Sequence, residues 1–177
     1  MTEIDSRHAP DPASQAMPGV ASAVPETTLH LRVDRLVQDA ALALARGDSV
    51  AAIRLSADAL ASAVDSDEPA LTAQARVISA RVAWATGATE QALAELELAW
   101  PTAQTQTDEP LKFHCLNLLG IVCRDLGQFN RSMEWHAAAC AVARDAGLSD
   151  LEAVAAANGA GRWLDIGDRA DAAADAA

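Results

Sequence analysis

From Leu29 onward, apolar and polar residues follow the three-to-four-residue spacing of amphipathic helices almost without interruption. Glycines, or acidic residues followed by proline, break this spacing at regular intervals and indicate turns between helices. The pattern predicts an all-α fold of four helical hairpins. The first helices of these hairpins are predicted at about 29–46, 70–86, 110–126 and 149–166, and the second helices at about 48–64, 88–104, 128–146 and from 168 to the end.

The turns between paired helices recur with a fixed period. Successive turn glycines are 40 residues apart, and a small residue stands five positions after each one. The glycines are Gly47, Gly87, Gly127 and Gly167, and the small residues that follow them are Ala52, Ala92, Ser132 and Ala172. Such a period is typical of repeat proteins, in which each unit buries its apolar face against its neighbours. We predict units of about 29–68, 69–108, 109–147 and 148–177, the last one incomplete.

The segment 1–28 lacks any helical or strand period and contains four prolines among small and polar residues. We predict that it is a disordered arm. At the turns, Asp48, Thr89 and Asp168 are placed to cap the helices that follow them.

The third unit carries a family signature. Its Leu119-Gly120 pair, Cys123, Gly127, Phe129, Ser132 and Ala139 resemble the tetratricopeptide repeat (TPR), in a 40-residue variant found in bacterial signalling proteins. The resemblance implies a right-handed α-solenoid whose concave face is lined by the first helix of each unit. It also implies that Gly120 is the point where two helices cross, close to Ser132. Armadillo and HEAT arrays, which share periods of about 40 to 47 residues, are the alternative.

Composition narrows the classes of partner. Hydrophobic residues make up 51% of the chain but aromatic residues only 3%, so the core must come from closely packed, alanine-rich helices. The net charge of −12 argues against nucleic acid and anionic membranes as partners. Three cysteines without a paired spacing, and no signal or membrane-spanning segment, favour a cytoplasmic location.

No catalytic constellation emerges from the sequence. Gly159-Ala160-Gly161 lacks the third glycine of a dinucleotide-binding loop, and there is no phosphate-binding loop. The histidines and cysteines of unit three fit buried packing positions better than a metal site; they are His114, Cys115, Cys123, His136 and Cys140. We therefore predict no catalytic residue, no metal and no cofactor in this chain.

Two stripes of residues suggest a binding groove instead. Arg81 and Trp84 are one turn apart in unit two, and four further residues of unit three follow at steps of three, four and three. Aromatic and arginine side chains dominate binding hot spots, and asparagine can bind an extended backbone. The predicted groove for a protein or peptide partner comprises Arg81, Trp84, His114, Asn117, Ile121 and Arg124. The alternatives are that these side chains face solvent or pack against the N-terminal arm.

The remaining tryptophans are expected to have packing roles, Trp100 and Trp135 between units and Trp163 in the core. The predicted function is a non-catalytic interaction module. The resemblance further implies that it is the sensory region of a larger signalling protein, foremost a GGDEF-type diguanylate cyclase. A stand-alone scaffold that homodimerises through the open end of the last unit is the alternative, because the last predicted helix has only the ten residues 168–177.

Overall fold

The computed structural model describes residues 26–160, which are helical apart from turns and contain no strand. The described residues form helices α1 (Glu26–Ala45), α2 (Ser49–Asp65), α3 (Pro69–Ala85), α4 (Thr89–Ala103), α5 (Glu109–Asp125) and α6 (Phe129–Asp145). A further helix, α7, begins at residue 149 and is helical to residue 160. The all-α prediction is confirmed over these residues, with helix boundaries within about three residues of those expected.

Because α1 begins at Glu26, the predicted disordered arm 1–28 is too long by three residues. The rest of that arm lies outside the described residues. So do Gly167, Ala172, Trp163 and the predicted helix from 168 with its Asp168 cap, together with the end of the fourth unit.

The turn glycines end helices in one repeated geometry. Gly47, Gly87 and Gly127 have φ angles of 75°, 87° and 74°, which an L-residue with a Cβ adopts only at a cost. Each is framed by two backbone hydrogen bonds that satisfy the last carbonyls of the helix; at Gly47 they are Gly47 N to Leu44 O and Asp48 N to Ala43 O, both 2.9 Å. The predicted turns, whose glycines are 40 residues apart, are therefore confirmed at these three positions.

Helix starts follow from local side chains at two of the turns. Asp48 Oδ1 accepts from the Ala51 backbone N–H at 3.0 Å, and Asp108 Oδ1 accepts from Leu111 N–H at 2.9 Å. Both carboxylates satisfy donors that the first helical turn leaves unpaired. The prediction for Thr89 is wrong by one residue, because Ala88 is the N-cap and Thr89 is already helical.

Each helix from α1 to α5 packs against the next one along the chain, and α3 also packs against both α1 and α5. The small residues five positions after the turn glycines, Ala52, Ala92 and Ser132, are all buried in these contacts. Trp100 of α4 and Trp135 of α6 meet edge to face with ring centroids 6.1 Å apart. The expected packing of these two tryptophans between units is confirmed.

The close approach at Gly120 involves a residue that the sequence did not suggest. A Cβ at Gly120 would lie 2.5 Å from Cε1 and 2.7 Å from both ring nitrogens of His136, so the nearest neighbour is this imidazole and not Ser132. His136 is 3% exposed, and its own Cβ lies 3.5 Å from where a Cβ of Gly159 in α7 would be. Gly120 thus makes room for a buried histidine between α5, α6 and α7, whereas Gly159 only contacts it at an ordinary distance.

Candidate functional site

The odd-numbered helices together line a groove of about 600 Å³, here called the odd-helix groove. Its residues come from α1, α3, α5 and α7, together with the α5 N-cap Asp108. Most of its surface is apolar, and the apolar side chains belong to Val37, Ala41, Val77, Ile78, Trp84, Pro110, Leu111, Phe113, Leu118, Ile121, Leu151 and Val154. The volume and the apolar lining are in the range typical of binding pockets.

Five of the six residues predicted for a groove lie together in this one. Arg81 and Trp84 of α3 face His114, Asn117 and Ile121 of α5 across it. Arg124 is the exception, because it lies outside the lining and its Nε is 3.3 Å from Asp125 Oδ1. The expected stripe therefore ends one turn earlier than the sequence suggested.

Trp84 is held in place by a hydrogen bond between repeat units. Its indole Nε1 donates to Asp125 Oδ2 at 2.7 Å, and its ring packs partly buried against the core shared by α3, α4 and α5. An aromatic side chain fixed in this way loses little rotamer entropy when a partner contacts it. The structure thus supplies a pre-oriented aromatic surface in the groove.

Similar bonds link the other odd-numbered helices. Gln74 Nε2 donates to Asp34 Oδ1 at 3.1 Å, and Asn158 Nδ2 donates to Asn117 Oδ1 at 3.0 Å. With the Trp84–Asp125 bond, these side-chain contacts join residues 40 or 41 positions apart, which is one repeat length. They fix the spacing of neighbouring units, and they leave the amide hydrogens of Asn117 available to a ligand.

The charged groups of the groove differ in how they are engaged. Asp108 is occupied as the N-cap of α5, whereas Arg81 has no ion pair or hydrogen bond within residues 28–160. Burial lowers the pKa of His114, the charge of Arg81 lowers it further, and Asp108 raises it by a smaller amount. His114 is therefore neutral at pH 7, and Arg81 is the groove's free cation among the described residues.

The other titratable groups near the groove have the properties of packing residues. Burial raises the pKa of the Cys115 thiol to about 12, so it stays protonated and is a poor nucleophile or metal ligand at pH 7. Burial, aided by the charge of Arg124, lowers the pKa of His136 to about 4. Within residues 28–160, no group of three or more His, Cys, Asp or Glu side chains is placed to hold a metal ion.

The sequence-based prediction did not include the groove residues of α1 and α7, although the 40-residue period indicates them. Residues six positions before a turn glycine line the groove in three units, and so do residues ten and thirteen positions before it. The three sets are Ala41, Arg81 and Ile121; Val37, Val77 and Asn117; and Gln74, His114 and Val154. Extending the stripe of unit three by steps of 40 would have found Val37, Ala41 and Val154.

Comparisons with protein-family models, with curated proteins and with solved structures find no match for this chain. Among the helices of the described part, none has the length and apolar character that crossing a bilayer requires.

Proposed function

We propose that this chain is a non-catalytic interaction module that binds a segment of a protein or peptide partner in the odd-helix groove. The observation that carries the proposal is the groove's repeated construction, because residues at the same three register positions of successive units line one groove whose surface is mostly apolar. Each unit thus adds to the length of the surface, as expected when an extended or helical segment is the ligand.

The way in which the groove is held supports the same proposal. The side-chain hydrogen bonds at 40- or 41-residue spacing fix Trp84 and Asn117 before any partner arrives. Binding hot spots are rich in tryptophan and arginine and are surrounded by apolar contacts that exclude water. Arg81, Trp84 and Ile121 supply this combination within two neighbouring helices.

We also propose that the units form a right-handed α-solenoid of the TPR type. Support comes from the 40-residue period, from the contacts between α1, α3 and α5, and from the location of the groove on the first helix of each unit. On this proposal, the odd-helix groove is the concave face.

The proposal is tested by selecting ligands and then removing the groove. A displayed library of random 16-residue peptides is selected on the full chain, and the dissociation constant of enriched peptides is measured for two double variants. Ile121→Gln with Val154→Gln removes apolar surface inside the groove. Ile53→Gln with Val50→Gln makes the same changes on α2, where these side chains are 51% and 80% exposed and line no part of the groove.

We expect the groove variant to bind at least tenfold more weakly, since it loses two apolar contacts, and the α2 variant to stay within about twofold of the parent. Melting curves of both variants verify that they fold. Equal binding by the two variants, or no enrichment of any peptide, would contradict the proposed function.

The resemblance to bacterial signalling repeats extends the proposal to an attached output domain, foremost a diguanylate cyclase of the GGDEF type. Here the module would regulate that domain when a partner occupies the groove. Reading the coding sequence beyond Ala177 tests this extension, because an open reading frame with a cyclase domain supports it and a stop codon contradicts it. The homodimerising scaffold is the other outcome, and the mass of the protein in solution detects it.

A further inference from the structure

The groove contains one cation, Arg81, that has no ion pair among the described residues. Arg81 stands on α3 with its guanidinium free of ion pairs within residues 28–160, while most arginines of that part of the chain have an acidic or amide partner. It lies one turn before Trp84 and across from Ile121, so apolar surface borders it. An unpaired cation at the edge of an apolar surface is a ready partner for a carboxylate that approaches with apolar neighbours.

Three carboxylates, on the helices that line the groove and at the α5 N-cap, already accept hydrogen bonds from donors of this chain. Asp108 caps α5, Asp34 accepts from Gln74, and Asp125 accepts from Trp84 and pairs with Arg124. The charge of Arg81 lowers the pKa of His114, another residue of the groove, by more than the charge of Asp108 raises it. A cationic ligand would therefore be repelled by Arg81, whereas a carboxylate of a ligand would find an unpaired guanidinium.

We propose that the partner segment is apolar with an acidic side chain, and that this Asp or Glu pairs with Arg81 while flanking apolar side chains pack on Trp84 and Ile121. The proposal rests on the proposed function and specifies the chemistry of its ligand. The net charge of the chain is −12, so a purely long-range attraction would favour a basic partner. A preference for acidic ligands would therefore have to come from local contact with Arg81.

The test uses the same displayed library at physiological salt, where the Debye length of about 8 Å screens the net charge of the chain beyond the groove. Peptides are displayed as N-terminal fusions, so they have no free C-terminal carboxylate and an acidic residue must come from a side chain. Selections are run in parallel on the parent, on Arg81→Glu and on Arg54→Glu. Arg54 is an exposed arginine of α2, so its reversal changes the net charge equally without touching the groove.

We expect peptides selected on the parent and on Arg54→Glu to be enriched in Asp or Glu beside apolar residues, and peptides selected on Arg81→Glu to carry Lys or Arg instead. In single peptides, Arg81→Glu should weaken binding about tenfold or more, and changing the peptide's acidic residue to Lys should restore it. The same peptides from all three selections, or no acidic enrichment on the parent, would overturn the acidic-ligand proposal.

These outcomes are separable from failure of the groove itself. If the peptides lack acidic residues but still lose affinity for the Ile121→Gln, Val154→Gln variant, the groove binds and only its charge preference has been misjudged. If the peptides bind that variant as well as the parent, both proposals are wrong.

Discussion

Replacing Gly120 by alanine tests the closest helix contact in the structure. Alanine is normally the better residue inside a helix, by about 1 kcal/mol over glycine, and Gly120 has ordinary helical geometry in α5. At this position, however, the added Cβ would lie 2.5 to 2.7 Å from three atoms of the His136 ring. Real Cβ atoms do not approach so closely, so the imidazole or the helices must move.

The expected magnitude follows from two opposing terms. Forcing an extra methyl group into a packed interior costs about 1 to 3 kcal/mol, and the buried, three-helix setting of His136 favours the upper half of that range. Subtracting the gain of about 1 kcal/mol in helix propensity leaves a net destabilisation of about 1 to 2 kcal/mol. Gly159→Ala is the matched control: its Cβ would make an ordinary 3.5 Å contact, so the propensity gain should dominate.

The assay is urea denaturation followed by far-UV circular dichroism, with a double-mutant cycle on Gly120→Ala and His136→Ala. Shortening His136 removes the clash, so Gly120→Ala should become stabilising by roughly 0.5 to 1 kcal/mol in that background. The sign of the substitution should therefore reverse. A stabilising Gly120→Ala in the parent protein, or the same free-energy change in both backgrounds, would refute the assigned contact.

Three other outcomes are expected. The pKa of His136 is about 4 in the folded protein and 6.5 ordinarily, so its contribution to stability is full above pH 6.5 and is lost as the pH falls toward 4. The free energy of unfolding should therefore fall by about 2 kcal/mol between pH 7 and pH 5. The His136→Gln variant should lack this fall. Gly87→Ala, at φ 87° with nothing within 4 Å of the new Cβ, should cost about 1 kcal/mol from backbone strain alone, and Gly87→Asn should cost less in the same urea titration. Asp108→Ala removes the N-cap of α5 and should lower the unfolding free energy by about 1 kcal/mol, whereas a loss under 0.3 kcal/mol would argue against the cap.

The parts of the fold that depend on local signals could be predicted from the sequence. A glycine that ends a helix and a proline after acidic residues act within one turn, so the turns at Gly47, Gly87 and Gly127 and the start of α5 lie where they were expected. The cap at Thr89 was misplaced by one residue, because Ala88 occupies that position without any side-chain hydrogen bond and so leaves no sequence signal.

Contacts between helices were harder to predict, because they depend on how side chains meet across units. Small residues at Gly120 and Ser132 suggested a mutual crossing, yet the atoms nearest to Gly120 belong to His136. The bond between Trp84 and Asp125 likewise depends on how α3 packs against α5, which no local pattern reports. The groove residues of unit three were found from their helical spacing, whereas Val37 and Val154 required the repeat register to be applied to the whole chain.

The role of the odd-helix groove as the binding site is tested most directly by mapping a bound peptide onto the protein. At 18.4 kDa, the chain suits backbone amide NMR, and the tightest peptide from the selection serves as ligand. We expect the largest chemical-shift changes at the nine groove residues that share the three register positions, together with the indole N–H of Trp84. Changes concentrated on α2, α4 and α6, with the Trp84 indole signal unmoved, would contradict the groove as the site.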